Sequence, residues 1–329
     1  MPDMVDTMYS VRIPAWHHKD TVLAEYPGSW AEAREAAGIG WDVVTEEPKY
    51  LDGIDTDGFP IYVMDKEYRR VYRSDTRRTL GYTSDTYAVI DHEAMGAIIE
   101  AVLAQTNVKY ETAGSLDGGK AVWCLAKLDE PIHLPGDDDT LTYPYLAITN
   151  RHDGSGSCTL RTTAVRIVCM NTWRAAEMEG ERTGATFSFR HTKNWQTRVD
   201  EARDAVTGAR REIAQYVELA TELLGYTVTA QQRELFVKAF IPSPPEAMIS
   251  NRVVTNIETA RNAVRAILES KTTANIAHTA YGLVQAAGEY NEHVRRFRTW
   301  ESHLNRSLLQ PDEGKRRALT LVRELVKAG

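Results

Sequence analysis

The sequence predicts an α+β protein: an antiparallel β-sheet with a β-β-β-α core, followed by a C-terminal helical region. Three observations support this fold class. Strand-like runs fill much of the first half of the chain. Asp117-Gly118-Gly119 stands between two of these runs and is typical of a hairpin turn. After the last strand-like run, apolar residues recur at the spacing of amphipathic helices.

Two helices and two strand regions come first. Ser29 can cap a short Ala/Glu-rich helix, and Gly38 can end it. Asp91 can cap a second helix, in which apolar residues repeat at helical spacing. The predicted elements are, in order, a helix over 29–38, strands within 60–73 and 79–90, and a helix over 91–105.

A series of strands follows the second helix. Its predicted members are 108–114, 120–128, 143–150 and 157–163. The segment RHDGSG at 151–156 supplies the turn between the last two strands. We expect AVRIVCMNTWRAAEM at 164–178 to form a buried helix behind the sheet, and FSFRH at 187–191 to form a short strand.

The C-terminal part is expected to be helical. Helical patterns cover 193–224, 229–239, 248–270, 273–287, 289–306 and 314–327. Three prolines in IPSPPEA, at 241–247, must interrupt any helix there. The predicted organisation is an α+β core domain over 1–192 and a C-terminal helical region over 193–329.

Composition excludes several classes of protein. With 43% apolar and 26% charged residues among 329, the chain is not collagen-like, disordered or a disulfide scaffold. Its three cysteines, Cys124, Cys158 and Cys169, form no CxxC motif, which favours a reduced, cytosolic setting. The acidic start MPDMVDTMYS is not a signal peptide, and no apolar window is long enough to span a membrane. We therefore expect a cytoplasmic protein without a membrane partner.

No motif predicts a catalytic centre, a metal site or a cofactor. GSLDGGK at 114–120 resembles part of a phosphate-binding loop, but Ala121 replaces the Ser or Thr and a strand follows instead of a helix. The histidines show no metal-ligand spacing, the acidic run 137–139 is expected to be a solvated loop, and Cys169 a buried inert thiol. A metal-dependent nuclease remains a minority alternative, with no ligands that the sequence identifies.

Charge is distributed unevenly along the chain. Residues 1–150 carry 13 basic and 26 acidic residues, whereas 151–329 carry 26 basic and 20 acidic residues. Within the acidic half, YRRVYRSDTRR at 68–78 combines five arginines with two tyrosines. Arginine binds phosphates and aromatic rings stack on bases, so this mixture favours single-stranded nucleic acid. The alternative is a solvated strand or hairpin whose arginines pair with nearby acids.

A second basic segment spans 158–198. It interleaves arginines and Lys193 with Trp173, Phe187, Phe189 and Trp195. Arginine can grip a phosphate through two parallel hydrogen bonds, and tryptophan offers a large stacking surface. The alternative is that the tryptophans are core residues and the arginines are charges at its rim.

Several motifs together resemble the phage/plasmid-like protein family, a domain family of unknown function. The most distinctive is AVRIVCMNTWRAA at 164–176. Further resemblances lie in PAWHHKD (14–20), AGIGWDVVTEEPKY (37–50), RSDTRRTLGYTSDTYAVIDHEAM (73–95), FRHTKNW (189–195) and TAYGLVQAAGEYNEH (279–293). Gln285 and His18 depart from the family pattern, where we expect Asn and Gly. The resemblance implies a phage, prophage or plasmid gene that acts in a bacterial cytoplasm, and no particular reaction.

The predicted order of a helix, three or four antiparallel strands and a helix is similar to the core of the single-strand annealing superfamily. That similarity implies rings or filaments that hold single-stranded DNA in a basic groove without ATP. It is a likeness of fold, which does not by itself establish function.

We therefore predict a single-stranded DNA-binding and annealing protein of phage homologous recombination, which assembles with itself and needs no cofactor. The residues expected to contact phosphates are Arg69, Arg70, Arg73, Arg161, Arg166, Arg174, Arg190 and Lys193, with Trp173 and Trp195 as stacking surfaces. The alternative is a phage-encoded regulatory or protein-binding module that acts on host defence or on a replication or recombination protein.

Overall fold

A computed structural model of the chain describes residues 5–11, 21–103, 108–128, 131–138, 140–166, 171–173, 186–245, 250–295 and 313–328. It confirms the α+β class: mixed helices and strands, antiparallel sheets and a helical C-terminal region. Within these described ranges, no helix is long and apolar enough to cross a membrane.

The strands fall into three sheets. Their bounds are β1 Val5–Val11, β2 Thr21–Leu23, β3 Val43–Glu46, β4 Lys49–Ile54, β5 Pro60–Met64, β6 Tyr68–Arg73, β7 Thr79–Ser84, β8 Tyr110–Leu116, β9 Ala121–Lys127, β10 Thr142–Arg151, β11 Cys158–Arg166, β12 Asn171–Trp173 and β13 Thr186–Phe189. The large sheet has the order β12-β11-β10-β9-β8-β1-β2, with β13 paired to β11. A second sheet has the order β3-β6-β7, and β4 and β5 form a two-stranded hairpin.

The helices are α1 Trp30–Ala36, α2 His92–Leu103, α3 Val199–Gly225, α4 Ala230–Phe240, α5 Asn251–Leu268, α6 Ala280–Glu289 and α7 Glu313–Ala328. The two caps expected near the N-terminus are present. Ser29 Oγ accepts a hydrogen bond from the Glu32 backbone N–H, and Asp91 Oδ1 accepts one from Ala94. Thr229 and Gln232 cap α4 reciprocally.

The chain divides into two compact units. The first contains residues 1–127, 146–161 and 186–207, and the second contains 128–145, 162–185 and 208–329. In the first unit, α2 buries Met95, Ile98 and Ile99. Gly96 lies against the Trp30 ring, whose Nε1–H donates to the His92 carbonyl at 2.6 Å. A side chain at position 96 would displace the ring and break this link between α1 and α2.

The second unit has its own helical core. Phe236, Val264, Leu283 and Leu319 are among its buried side chains, drawn from α4, α5, α6 and α7. A short π-helical turn, Tyr290–Val294, follows α6. Its Glu292 forms a buried ion pair with Lys315 of α7, and this pair compensates two charges that would be costly to bury alone.

The prediction of a helix over 164–178 was wrong where the structure describes the segment. Residues up to Arg166 belong to β11, and Asn171–Trp173 form β12, which pairs with β11 in antiparallel register. The β-branched residues of AVRIV favour an extended backbone, and an available neighbouring strand decides a short apolar run of this kind. Residues 167–170 and 174–178, which include Cys169, lie outside the described part.

Other differences concern elements that local patterns do not mark. Strands β1, β2, β3 and β4 were not predicted. The helix expected from 273 begins only at Ala280, because residues 271–278 form turns and Thr279 caps the helix by accepting from the Gly282 N–H at 3.1 Å. Most of the helix predicted over 289–306 lies outside the described residues.

Candidate nucleic-acid interface

The first predicted basic segment lies on the small sheet of β3, β6 and β7, which has a packed inner face. The register pairs Val71 with Gly81 and Arg69 with Thr83. Val71 is fully buried and Thr83 is buried. A Cβ atom at Gly81 would lie 2.6 Å from the Asp153 carbonyl oxygen, so the 151–156 turn rests directly on this face.

The outer face of the same sheet presents aromatic and basic side chains to solvent. Arg70 pairs with Tyr82, and Tyr68 lies two residues along β6 on the same face. Tyr68 is 50% exposed and Tyr82 is 61% exposed. We call Tyr68, Arg70, Arg77 and Tyr82 the Tyr-Arg face. It combines two open aromatic rings with two guanidinium groups.

Glu46 holds the two arginines of this face in place. Arg70 Nη1 donates to Glu46 Oε1 at 2.6 Å, and Arg77 Nη2 donates to Oε2 at 3.0 Å. Both guanidinium carbons also lie over the Tyr72 ring, 4.9 and 4.7 Å from its centroid. Hydrogen bonding from Arg70 lowers the pKa of Glu46, so this carboxylate stays ionised. The arginines are therefore ordered and partly neutralised before any ligand binds.

The remaining predicted arginines of the segment are also paired. Arg69 lies 3.5 Å from a carboxylate oxygen of Glu47. Arg73 donates to both oxygens of Asp75, at 3.0 and 2.7 Å, and its guanidinium carbon lies 4.3 Å from the centroid of the Trp41 ring. The sequence left open whether these arginines pair with nearby acids, and the structure shows that they do.

Part of the second basic segment lies next to the residues that follow β7. His191 Nδ1 lies 3.1 Å from the Ala88 carbonyl, and its ring stacks on Tyr87 at 4.5 Å. Its neighbours Arg190 and Lys193 are exposed. Within the described part of the chain, neither forms an ion pair with a carboxylate. These two cations are therefore available to an anionic ligand.

The other predicted residues are more dispersed. Trp195 is half-buried and meets the Phe189 ring edge-on at 6.3 Å, so it is partly a packing residue. Arg161 lies on β11 opposite Thr186 in the first unit. Arg166 and Trp173 lie on β11 and β12 in the second unit, with side chains outside the description, and Arg174 is outside it altogether. The structure thus places Arg69, Arg70 and Arg73 on one strand, with Arg70 on the outer face and Arg69 and Arg73 on the side of Val71. The common groove stays a prediction.

Two features of the site were missed by sequence reasoning. Tyr82 was not listed, although alternation in 79–84 together with the β6 pairing could have placed it beside Arg70. The second is a buried histidine pair: His92 Nε2 lies 3.2 Å from His152 Nε2, with Trp41 edge-on to His92 at 4.4 Å. The two histidines are sixty positions apart, and no local pattern connects them.

The histidine pair is electrically neutral. Burial lowers the pKa of His92 to about 4 and that of His152 well below its ordinary value. His92 Nδ1 lies 2.9 Å from the Ile39 carbonyl, which can only accept, so this nitrogen carries the proton. His92 Nε2 is then an acceptor and His152 Nε2 is the donor. Neutral, buried imidazoles support the packing under the sheet and offer no charge to a phosphate.

The structure also places the metal-ligand residue types, two cysteine thiols and the Gly114–Lys120 motif. No group of three or more His, Cys, Asp or Glu side chains within them could hold a metal ion. Burial raises the pKa of the Cys124 and Cys158 thiols, which makes them poor nucleophiles. The Gly114–Lys120 motif leads through a tight turn from β8 into β9, and the helix N-terminus that a phosphate-binding loop requires is replaced by this turn.

Comparison with known proteins gives a family and no reaction. No curated protein and no solved structure shows a match to the chain. Residues 79–309 match the family model described as "Domain of unknown function (DUF932)". The match begins at β7 and runs through most of the helical region, so β3 to β6 precede it. Because the match covers well over half of the chain, the protein belongs to the DUF932 family.

Proposed function

We propose that the chain binds single-stranded nucleic acid on the Tyr-Arg face, assembles with copies of itself, and anneals complementary strands without ATP. The observation that carries this proposal is the exposure of Tyr68 and Tyr82 on either side of Arg70, on one face of one sheet. Open aromatic rings stack on bases of any sequence, and arginine binds the backbone between them.

The form of this surface favours single strands over duplexes. Rings standing on a sheet can stack only on bases that are not already stacked inside a double helix. Stacking leaves the pairing edges of the bases free, which annealing requires. Exposed Arg190 and Lys193, beside the residues that follow β7, would continue the basic track. The expected resemblance to single-strand annealing proteins included a helix at 164–178, where the structure has strands at 164–166 and 171–173, so the proposal rests on the Tyr-Arg face itself.

Fluorescence anisotropy with labelled single-stranded and duplex oligonucleotides, at two salt concentrations, tests the proposal. We expect salt-dependent binding that prefers single strands. The double variant Tyr68→Ser/Tyr82→Ser should lose at least tenfold in affinity, because stacking on one ring is worth about 1–3 kcal/mol. Both side chains are exposed, so the fold should be unaffected.

Tyr226→Ser is the matched control, because Tyr226 is an exposed tyrosine in the other unit. It should bind like the wild type. Absence of binding at low salt would overturn the proposal as a whole. Unchanged affinity in the tyrosine double variant would overturn the Tyr-Arg face as the site, and Arg166→Glu would then test the second basic segment.

A second function, a protein-binding or regulatory module, is favoured by a different observation. The β4–β5 hairpin exposes an unusual amount of apolar surface, which suits a protein partner better than nucleic acid.

A further inference from the structure

The β4–β5 hairpin, residues 49–64, extends from the small sheet as a two-stranded ribbon that we call the arm. Strand β3 leads into β4 and β5 leads into β6, so the arm continues the β3–β6 pair. The Asp65 N–H donates to the Pro48 carbonyl at 2.8 Å at the junction. The arm is thus a defined part of the first unit and not a loose loop.

Apolar side chains cover both faces of the arm and are left in solvent. The register places Tyr50, Val63 and Ile61 on one face, and Leu51, Tyr62 and Ile54 on the other. The exposed large apolar residues of the arm are Tyr50, Leu51, Ile54, Phe59, Ile61, Tyr62, Val63 and Met64. Phe59 at the tip is 67% exposed. A hairpin that only connected two strands would carry polar residues on at least one face.

The tip of the arm is built by a specific turn. The Asp55 N–H donates to the Phe59 carbonyl at 2.8 Å, and Asp55 Oδ1 accepts from the N–H groups of Asp57 and Phe59 at 2.9 and 2.8 Å. Gly58 has a φ of +87°, which the turn requires and which side-chain-bearing residues rarely adopt. Since a two-stranded hairpin is marginal in water on its own, this preformed ribbon with two apolar faces calls for a covering partner.

The arm leaves a large apolar area uncovered. Eight large side chains about half exposed present on the order of 800 Å² of surface over both faces and the tip, and pairing of two β5 strands would cover the part that borders β5. The total is more than a typical monomer leaves uncovered in one place. Apart from Lys49 and Asp52, the residues of the two strands are uncharged, and such an aliphatic and aromatic composition is typical of interfaces between identical subunits.

The two edges of the arm differ in how they are protected. β4 carries Asp52 and an irregularity between Leu51 and Gly53, which interrupts the pairing register. β5, Pro60–Met64, has five uncharged residues in extended register and all are exposed. Natural sheets protect their edges with charges, bulges and prolines. β5 has no charge and no bulge, and its proline, Pro60, is its first residue, so Ile61 to Met64 are without such protection. Among the described residues, β5 pairs with β4 alone.

We propose that the arm is a self-association surface, in which β5 pairs edge to edge and antiparallel with β5 of a second copy. The two hairpins would form one four-stranded sheet about a two-fold axis, and on both faces the side chains of β5 would pack against those of the partner's β5 across the new strand pair. A symmetric contact of this type needs only one surface, which is present on every copy. The proposal specifies the self-assembly in the proposed function and rests on that part of it.

Sedimentation velocity of the full chain, compared with Ile61→Lys/Tyr62→Lys, tests this. The two substitutions place like charges on both faces of the same edge strand in each copy. The wild type should sediment as an assembly of at least two 37.0 kDa chains, and the variant should associate at least 100-fold more weakly. Leu235→Lys/Val254→Lys is the matched control, since both residues are exposed apolar residues on helices of the second unit. It should assemble like the wild type.

Cysteine cross-linking tests the geometry. Residues facing each other across antiparallel strands have Cα atoms about 4.5–5.5 Å apart, within reach of a disulfide. Under mild oxidation, one member of the series Ile61→Cys, Tyr62→Cys and Val63→Cys should form covalent dimers. The wild type and Leu235→Cys should not.

The outcomes separate self-association from nucleic-acid binding. A wild type that stays monomeric at ~100 μM, where a contact of about −5.5 kcal/mol would be visible, overturns the proposal and leaves the arm to a different protein. Assembly that survives Ile61→Lys/Tyr62→Lys also overturns it. An assembled wild type without affinity for oligonucleotides would keep this inference and refute the proposed nucleic-acid function.

Discussion

The small sheet of β3, β6 and β7, which we call the base, and the arm both expose aromatic residues, but the surroundings of these residues differ. At the base, Tyr68 and Tyr82 flank arginines that are held by Glu46, and the reverse face is packed on the 151–156 turn. In the arm, Tyr50 and Tyr62 stand among aliphatic residues on two open faces. The arm, β4 and β5, lies between β3 and β6 in the sequence, but only the sheet of β3, β6 and β7 has arginines and a covered side.

This contrast indicates that the side chains beside an exposed ring determine which kind of ligand the ring is suited to bind. A ring beside a guanidinium is suited to a base and its phosphate, because both groups meet charged or π-rich ligands. A ring among Ile, Leu and Met is suited to another apolar surface, because its contribution is the area removed from water. Substitutions in the base and in the arm can test these two roles separately.

The largest expected effect is on stability. Val71→Asp, on the fully buried face of the base, should lower the free energy of unfolding by at least about 3 kcal/mol, because the new charge has no partner. Val63→Asp, in the arm, should change the stability of the dissociated chain by only about 0.5 kcal/mol. Urea unfolding at low protein concentration measures both. Similar losses in the two variants would show that the arm is covered within its own chain.

A smaller loss of stability is expected at acidic pH, and it should arise at the buried pair of His92 and His152. Burial lowers the pKa of His92 to about 4 from its ordinary 6.5, so below pH 6.5 the unfolded chain binds a proton that the folded chain does not. Stability is therefore full above pH 6.5 and falls as the pH drops, by about 2 kcal/mol at pH 5 for His92 alone.

His152 and His191 have pKa values lowered in the same direction, so they add to this loss. Urea unfolding followed by tryptophan fluorescence at pH 7.5 and pH 5.0 measures it, since Trp41 packs on His92. The variant His92→Gln should show a weaker dependence on pH. Equal pH dependence in variant and wild type would contradict the neutral buried pair.

The smallest expected effect is on the affinity of the base for single-stranded DNA. Glu46→Gln removes the carboxylate that competes with phosphate for Arg70 and Arg77, so affinity for single-stranded DNA should rise by about threefold, or roughly 0.6 kcal/mol. Anisotropy titration at low salt measures this change, with Glu258→Gln as control, because Glu258 belongs to the second unit and also pairs with an arginine. A fall in affinity would mean that Glu46 acts mainly by holding the arginines in a binding geometry.

Elements set by local chemistry could be predicted from the sequence. Asp91 and the apolar spacing after it predict α2, and Asp117-Gly118-Gly119 predicts the β8–β9 turn. By contrast, β1 pairs with β8, which lies more than a hundred positions later in the chain. The seven residues of β1 contain no pattern that identifies β8 as the neighbouring strand. The error at 164–173 is of the same kind, because a run such as AVRIV suits a helix or a strand until a neighbouring strand is placed.

The candidate site shows the same division. The mixture of arginine and tyrosine at 68–73 is visible in the sequence, whereas the carboxylates that hold it depend on the pairing of β3 with β6. The strand-like alternation of residues 60–64 is also visible. That no part of the described chain covers these residues depends on three-dimensional packing, which a linear pattern does not contain.

The length of the arm has a consequence for avidity. Strands rise by about 3.3 Å per residue, so a hairpin with strands of five and six residues reaches roughly 20 Å beyond its base. Two arms joined along β5 would hold two Tyr-Arg faces at a fixed separation of that order. A strand long enough to reach both faces would bind the second at a high effective concentration once the first is occupied. Binding at each face is weakened by Glu46, which competes with phosphate for the arginines. Two linked faces would therefore bind long single strands more tightly than short ones, which reach only one face.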